Sequence, residues 1–195
     1  MARGDAGAAP WARSIAAALA LSVGGCALTQ DPAREPEPPA RSLDRSIYAR
    51  RWTWTDETGE RVQLARWRGR PLVVTAVFTT CQATCPRTIE RLRAVHARFL
   101  AERRDATFVL VTLDPAHDTP ERLRRFKQEQ GLPASWTFLA GEERQTRELV
   151  EMLGIHVMDL DGHLMHDGAI VVFDERGVAS RSYTGWGVDQ EGPVI

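Results

Sequence analysis

The residues of this chain best suited to chemistry are Cys81 and Cys85, which lie in the segment Phe78-Thr-Thr-Cys81-Gln-Ala-Thr-Cys85-Pro86. A spacing of four places both sulfurs on one face of a helical turn, with their backbones about 6 Å apart. That separation lies near the upper end of the disulfide range, and it also lets two thiolates bind one metal ion. A structural disulfide, a redox dithiol and a metal site are therefore all open.

The spacing and number of the cysteines help to separate these uses. A bridge across so short a loop removes little chain entropy, so a purely stabilising disulfide is the least favoured. Thioredoxin-type redox motifs have two intervening residues, whereas this motif has three. Zinc sites generally need four ligands, and the sequence has no second cysteine pair to supply them. Two thiolates and one imidazole suit copper, so the question becomes which histidine is the third ligand.

Five histidines are available. We expect His96, on the charged side of the first predicted helix, to face water, and His156 and His163 flank a polar loop. His117 follows a predicted parallel strand and so lies at the same sheet edge as the cysteines. His166 stands just before a buried strand. Physical reasoning alone leaves His117 and His166 as candidates.

The elements that must position these residues alternate between strands and helices. Apolar runs predict buried strands at 72–78, 107–113 and 136–139. Helical periodicity predicts helices around 89–99, from 119 to 131 and from 142 to 153. Two hairpins are predicted, one at 52–64 and one formed by 169–173 and 178–183. The order predicts an α/β fold with a mostly parallel central sheet, an antiparallel edge hairpin, helices on both faces and an N-terminal β-hairpin.

The N-terminal region has the pattern of an export signal. Arg3 and Arg13 precede a short apolar run that ends in Val23-Gly24-Gly25-Cys26, which is similar to a bacterial lipoprotein box. We expect residues 1–25 to be a signal peptide, Cys26 to carry lipid, and the proline-rich residues 26–45 to be a tether. Residues 46–195 then form the folded domain, held on the outer face of the cytoplasmic membrane of a bacterium.

The composition argues against one class of partner. The 195 residues include 25 basic and 26 acidic side chains, for a formal net charge of -1. A nucleic-acid-binding protein usually carries a basic surplus, so no nucleic-acid partner is expected. The arginines of the first helix are expected to form a solvated face; they are Arg87, Arg91, Arg93, Arg98, Arg103 and Arg104.

Several segments together resemble the Sco/SenC family, copper-handling proteins needed to assemble the copper centre of cytochrome c oxidase. The resemblance extends from Trp52 to Tyr183. The matching segments are Gly69-Arg-Pro71-Leu-Val-Val, Phe78-Thr-Thr-Cys81 through Cys85-Pro86, Thr112-Leu-Asp114-Pro-Ala-His-Asp118-Thr-Pro120, and His166 ahead of Ala169-Ile-Val-Val-Phe-Asp174.

The resemblance implies a thioredoxin-like fold and a copper ion, Cu(I) or Cu(II), bound by Cys81, Cys85 and His166. It thus favours His166 over His117, and it implies that the two cysteines can also form a redox-active disulfide. Asp114 and Asp118 match the acidic loop beside the family's site, although Asp118 also suits a helix cap. Two departures stand out: Asp167 replaces a small hydroxyl residue, and Gly185–Ile195 replaces a closing helix.

These observations predict a metallochaperone that passes copper to a subunit of cytochrome c oxidase or to another exported copper enzyme, and that is not an enzyme in the usual sense. The alternative is a thiol–disulfide reductase that keeps a client's copper-binding cysteines reduced. Against it, Met165-His166-Asp167-Gly168 lacks the proline that thioredoxin-like reductases carry there. A peroxidase is disfavoured because the Pro-x-x-x-Thr-x-x-Cys pattern is absent.

Overall fold

The computed structural model describes residues 46–81, 84–160, 163–184 and 191–192. These residues belong to one compact unit, Glu37–Ile195. The predicted signal peptide, Cys26 and the tether lie outside the described residues, as does most of the tail after Thr184.

Ten strands and three helices are found within the described ranges. In chain order they are β1 (Trp54–Asp56), β2 (Arg61–Val62), β3 (Leu72–Val77), α1 (Thr84–Ala101), β4 (Thr107–Thr112), α2 (Pro120–Glu129), β5 (Trp136–Ala140), α3 (Glu143–Met152), β6 (Val157–Leu160), β7 (His163–His166), β8 (Ala169–Phe173), β9 (Ala179–Thr184) and β10 (Glu191–Gly192). Short 3-10 helices cover Ile47–Ala49 and Leu64–Trp67.

Eight of the strands form one sheet, in the order β10-β9-β8-β3-β4-β5-β1-β2. The central strands β3, β4 and β5 are parallel, and antiparallel strands extend the sheet on both sides. The α/β fold predicted from the sequence is confirmed, including the N-terminal hairpin β1–β2 and the closing pair β8–β9.

The sheet is buried on both faces because helices cover each of them. All six residues of β3 are buried, as a nearly continuous apolar run requires for a central strand. Side chains alternate between faces, so Val74 packs with the residues of α3 while Val73 packs with those of α1 and α2. Helix α2 begins at the predicted position: Thr119 caps it and Pro120 occupies its first turn.

The ribbon formed by β6 and β7 was not predicted from the sequence. These strands pair only with each other in the described part of the chain, with Val157 opposite His166 and Met158 opposite Met165. His166 is thus the last residue of a strand rather than part of a loop. Among the described residues, no helix combines the length and apolar character that crossing a membrane requires.

Candidate metal centre

Three segments meet at the carboxyl end of β3. Cys81 lies four residues after the end of that strand, and Cys85 lies in the first turn of α1. Strand β8 runs antiparallel to β3 with Thr75 opposite Ile170, so the residues just before β8 return to the same end of the sheet. The Thr75 hydroxyl donates a hydrogen bond of 2.7 Å to the carbonyl of Ala169 and so joins the two strands there. This topology brings His166 to the cysteines.

Cys81, Cys85 and His166 form a compact group of metal-binding atoms. One ligand atom from each lies within 4.8 Å of the others, and within the described residues no further histidine, cysteine or carboxylate joins them. The Cys85 sulfur lies 3.8 Å from His166 Nε2. Both cysteines are free thiols in this structure. The group offers two soft sulfurs and one imidazole nitrogen to a single ion.

The ring of His166 is oriented by its surroundings. Its Nδ1 lies 2.7 Å from the backbone carbonyl of Asp167, and because a carbonyl only accepts, Nδ1 carries the proton. The lone pair of Nε2 therefore points toward the sulfurs. Phe78 packs on the ring with centroids 5.7 Å apart, and the Thr84 hydroxyl donates to the backbone carbonyl of His166. The imidazole is held in the tautomer that can bind a metal.

The two thiols have opposite electrostatic environments. The pKa of Cys81 is lowered to about 3, chiefly by a hydrogen bond from the Cys85 side chain and further by the backbone N–H groups of Cys85 and Thr84. The Cys85 N–H lies 3.2 Å from the Cys81 sulfur at the start of α1, where the helix dipole favours an anion. The same hydrogen bond, together with burial, raises the pKa of Cys85. The pair thus holds one thiolate, on Cys81, and one thiol.

Asp118 connects the loop after β4 to the loop that carries Cys81. It is buried, and it accepts hydrogen bonds from the backbone N–H of Thr79 at 3.1 Å and from the hydroxyls of Thr79 and Thr112. Arg122 adds a 2.9 Å hydrogen bond to the Thr79 hydroxyl. Asp118 is therefore not a capping residue of α2, a role that Thr119 fills. Through Thr79 it contacts the loop that carries Cys81.

The other candidates in that loop lie apart from the cysteines. His117 is exposed, and its Nδ1 lies 2.8 Å from a carboxylate oxygen of Asp114. The backbone N–H of Asp114 donates to the Thr112 hydroxyl at 3.0 Å. The described contacts of Asp114 stay within its own loop, so the structure does not join it to the three-residue group.

Asp167 contacts His156 rather than the cysteines. Its carboxylate accepts from the backbone N–H of His156 at 2.7 Å and lies 2.8 Å from His156 Nδ1. The backbone N–H of Asp167 donates in turn to the carbonyl of His156. These contacts close the base of the β6–β7 ribbon next to His166.

Two expectations about the first helix are wrong. The ring of His96 does not face water alone: it packs edge-on against Phe108 and Trp136, with centroids 4.8 and 5.7 Å apart. Arg91 is buried instead of solvated, lies over the Tyr183 ring and donates to the carbonyl of Thr184 at 3.2 Å. In both cases the apolar part of a polar side chain completes the core under α1.

Sequence reasoning missed several residues around the group: Phe78, Thr79 and Thr84. Their roles depend on contacts with segments 39 to 88 positions away in the chain, such as Thr79 with Asp118 and Phe78 with His166. The only available signal was the position of Phe78 and Thr79 directly between a buried strand and the first cysteine. That position predicts that Phe78 and Thr79 lie near the site, but it does not predict which residues they contact.

The fold and the three-residue group define a class of thioredoxin-like proteins with a Cys-Cys-His constellation. The model of the SCO1/SenC family matches residues 40–190, and the chain belongs to this family. A "SCO1 protein homolog" of Bacillus subtilis is 21% identical over 139 residues, which cover 69% of this chain and 72% of that relative. A Stutzerimonas stutzeri relative, named provisionally as a copper-binding protein, is 30% identical over 101 residues, which cover 51% of this chain and 48% of the relative.

Solved structures of the same family share the fold. Arabidopsis thaliana ScoI, with copper bound, is 18% identical with a TM-score of 0.63 over 71% of this chain and 88% of that one. A SCO1/SenC family lipoprotein from Bacillus anthracis is 23% identical with a TM-score of 0.63 over 70% and 83%. BsSco, described as a member of the Sco family of cytochrome c oxidase assembly proteins, is 22% identical with a TM-score of 0.61 over 72% and 83%. The expected family and thioredoxin-like fold are confirmed.

Proposed function

We propose that this protein binds one copper ion through Cys81, Cys85 and His166 and delivers it to a copper centre of a respiratory oxidase. The observation that carries this proposal is that the three ligand atoms lie within 4.8 Å of one another. One of them, His166 Nε2, belongs to an imidazole held in the metal-binding tautomer. Two thiolates and an imidazole form a soft, three-coordinate donor set that suits copper. The copper-bound structure of a fellow family member supports the same cargo.

The unequal burial of the ligands suits delivery. Cys85 and His166 are 1% and 5% exposed, whereas Cys81 is partly open to solvent. A ligand from an acceptor protein would therefore approach the ion on the Cys81 side and displace this thiolate first. Copper keeps its oxidation state in such an exchange, no bond of a substrate breaks, and the protein acts as a chaperone rather than as an enzyme. When copper binds, Cys85 gives its proton to solvent.

A position in the bacterial cell envelope follows from the N-terminal pattern. The lipoprotein box at Val23–Cys26 is the ground for lipid on Cys26, and a related family lipoprotein supports it. The folded domain begins at the opposite end of β3 from the cysteines, because the backbone N–H of Ile47 bonds to Gly177 in the β8–β9 turn. The described chain therefore starts at the end of the domain opposite to Cys81.

A second candidate function is a thiol–disulfide reductase, and the contrast between the two thiols favours it. The Cys81 thiolate would attack a disulfide of the client and form a mixed disulfide, and one client sulfur would leave as a thiolate. Cys85 would then attack the mixed disulfide, release the second client sulfur and leave a Cys81–Cys85 disulfide. The client gains two electrons from the thiols and two protons, one from Cys85 and one from solvent, and an external dithiol must reduce the protein again. A low-pKa, accessible thiol followed by a buried partner suits this sequence of steps.

The test compares variants of the full chain in detergent. Copper per chain is counted after anaerobic loading for the native protein and for Cys81→Ser, Cys85→Ser, His166→Ala and His117→Ala. His117→Ala is the matched control, since it removes an imidazole from the same end of the sheet but outside the group. The expected result is one tightly bound copper, lost in the first three variants and kept in the control. Binding that is indifferent to His166 would overturn the proposed site.

The two candidate functions differ in their need for His166. Copper transfer to the soluble domain of an oxidase subunit is expected to fail in His166→Ala, whereas reduction of a disulfide in that domain needs only the thiols. Full reductase activity in His166→Ala together with loss of transfer would show that both activities exist and are separable. Absence of transfer from the copper-loaded native protein would leave the reductase as the function.

A further inference from the structure

The β6–β7 ribbon presents an unusual amount of apolar surface to solvent. Within the described ranges four large apolar side chains are exposed, and three of them are on this ribbon: Val157, Met158 and Met165. A two-stranded ribbon is only marginally stable by itself, and apolar side chains exposed together on it add nothing to the core, so they indicate a binding surface. The ribbon ends at His166, one of the proposed copper ligands.

The two exposed methionines are neighbours across the ribbon. Met158 and Met165 are directly opposite in the antiparallel register, a relationship that sets their Cβ atoms about 5 Å apart on the same face. They are 57% and 43% exposed, whereas Met152, in α3, is 7% exposed and packs in the core. Long, flexible thioether side chains at this spacing can bring both sulfurs to one ion.

We infer that Met158 and Met165 form a shallow binding site for the cuprous ion, through which copper reaches the buried group. Thioethers are soft neutral ligands that select Cu(I) over harder cations. Two of them bind more weakly than two thiolates and an imidazole, so the site would capture the ion and release it inward. This inference rests on the proposed copper-binding function.

The transfer between the two sites is a ligand exchange. Residues alternate between faces, so the methionine pair lies on one face of the ribbon and His166 with Val157 on the other, one residue further along the strand. The ion passes the edge of the ribbon, leaves two neutral thioethers and gains the Cys81 thiolate, His166 Nε2 and the Cys85 sulfur. Cys85 gives one proton to solvent, and copper remains Cu(I) throughout.

The test uses methionine methyl NMR of the full chain in detergent, with silver(I) as a redox-inert substitute for Cu(I). The first equivalent is expected to occupy the cysteine group, and the second to shift the methyl signals of Met158 and Met165 together while the buried Met152 stays unchanged as an internal control. In a Cys81→Ser/Cys85→Ser variant the first equivalent is expected to shift the pair. Met158→Leu should abolish the shift of Met165, and Met165→Leu that of Met158. Independent shifts, no shifts, or an equal shift of Met152 would overturn the site.

The rate of copper uptake tests whether the methionine pair helps copper to reach the cysteine group. Copper transfer from a chromogenic Cu(I) chelate to the native cysteine group is expected to be several-fold slower in the Met158→Leu/Met165→Leu variant, with the same final occupancy. An unchanged rate would overturn the entry role. If silver leaves both methyl signals unchanged and the double variant slows only transfer to an acceptor protein, the pair is a protein-docking surface and no metal site. Failure of the proposed function itself would appear separately, as a native protein whose cysteine group takes up no copper.

Discussion

Asp118 holds Thr79 by two hydrogen bonds, one from the backbone N–H and one from the hydroxyl, although the two residues are 39 positions apart. Thr79 lies two residues before Cys81, on the loop between β3 and α1. The buried carboxylate thereby fixes the backbone that presents the partly exposed Cys81 thiolate. Groups of this kind support metal ligands without touching the ion.

Replacing Asp118 by Asn tests this relationship. An amide retains one acceptor oxygen and places an N–H₂ group where the carboxylate accepted from Thr79 and Thr112, so at least one hydrogen bond is lost. We expect Cu(I) affinity to fall by about 10–100-fold, as measured by competition with a chelator. Asp114→Asn is the matched control, because the contacts of Asp114 stay within its own loop, and its affinity should stay within a few-fold of native. Equal losses in both variants would contradict a specific role for Asp118.

The low pKa of Cys81 predicts how the metal-free protein reacts with alkylating agents. Because a thiol with a pKa of about 3 is ionised throughout the range, the alkylation rate of Cys81 should be nearly constant between pH 5 and 8. The alkylation rate of an ordinary thiol, with a pKa of about 8.5, would fall about tenfold for each unit by which the pH is lowered over that range. The measurement is site-resolved iodoacetamide labelling by mass spectrometry.

The Cys85 side chain is the largest cause of that lowered pKa, and this provides the control. In Cys85→Ala the side-chain hydrogen bond to the Cys81 sulfur is removed and the one from the backbone N–H of residue 85 remains. The pKa of Cys81 should therefore rise, and its labelling rate should fall as the pH decreases. A flat profile in both proteins would show that the backbone N–H groups at the start of α1, not the Cys85 side chain, keep Cys81 ionised.

Asp167 is expected to set the rigidity of the ribbon that carries His166. Asp167→Ala removes both hydrogen bonds to His156, so the base of β6–β7 should open more often and the amide of His166 should exchange its hydrogen faster. Global stability should change by no more than about 1 kcal/mol because the pair is largely exposed. Asp174→Ala, which removes a similar turn carboxylate at the β8–β9 turn, is the control and should leave exchange in the β6–β7 ribbon unchanged. Unaltered exchange at His166 in Asp167→Ala would contradict the role.

The order of strands and helices could be predicted from local patterns, because β3 is a continuous apolar run and Thr119-Pro120 marks the start of a helix. The cysteine pair was equally visible, since both ligands lie within five residues of one another. The third ligand could not be predicted from spacing. His117 follows β4 and His166 precedes β8, so both histidines are expected at the same edge of the sheet. Only the antiparallel register of β8 against β3, or the family resemblance, separates the two.

The ribbon β6–β7 and the burial of Arg91 could not be predicted for a related reason. A four-residue strand that alternates His163, Leu164, Met165 and His166 has little apolar contrast between its faces, so period-two alternation is weak there. Arg91 resembles the solvated arginines around it and is buried only because Tyr183 and Thr184, 92 and 93 positions away, lie over that part of α1. Long-range packing determines both features.

A substitution at Gly177 is expected to lower the stability of the domain without changing its copper affinity. Gly177 has a φ of +80°, and a Cβ at this position would lie 2.5 Å from the Tyr48 ring and 2.6 Å from the Ser46 hydroxyl. Gly177→Ala should therefore combine the cost of a left-handed backbone, about 1 kcal/mol, with a clash of about 1–3 kcal/mol against a buried side chain. Urea unfolding measures the sum.

Gly131→Ala is the matched control for this last substitution. Gly131 also has a positive φ, of +56°, but nothing lies within 4 Å of the added Cβ, so only the backbone cost of about 1 kcal/mol is expected. Gly177 lies at the end of the sheet opposite to Cys81, so its variant should bind copper with native affinity wherever it remains folded. A loss of copper affinity in Gly177→Ala at temperatures well below its unfolding transition would show that the two ends of the domain are coupled. Equal destabilisation of the two variants would instead show that Tyr48 moves aside. The packing of Tyr48 against Gly177 would then contribute little to the stability of the domain.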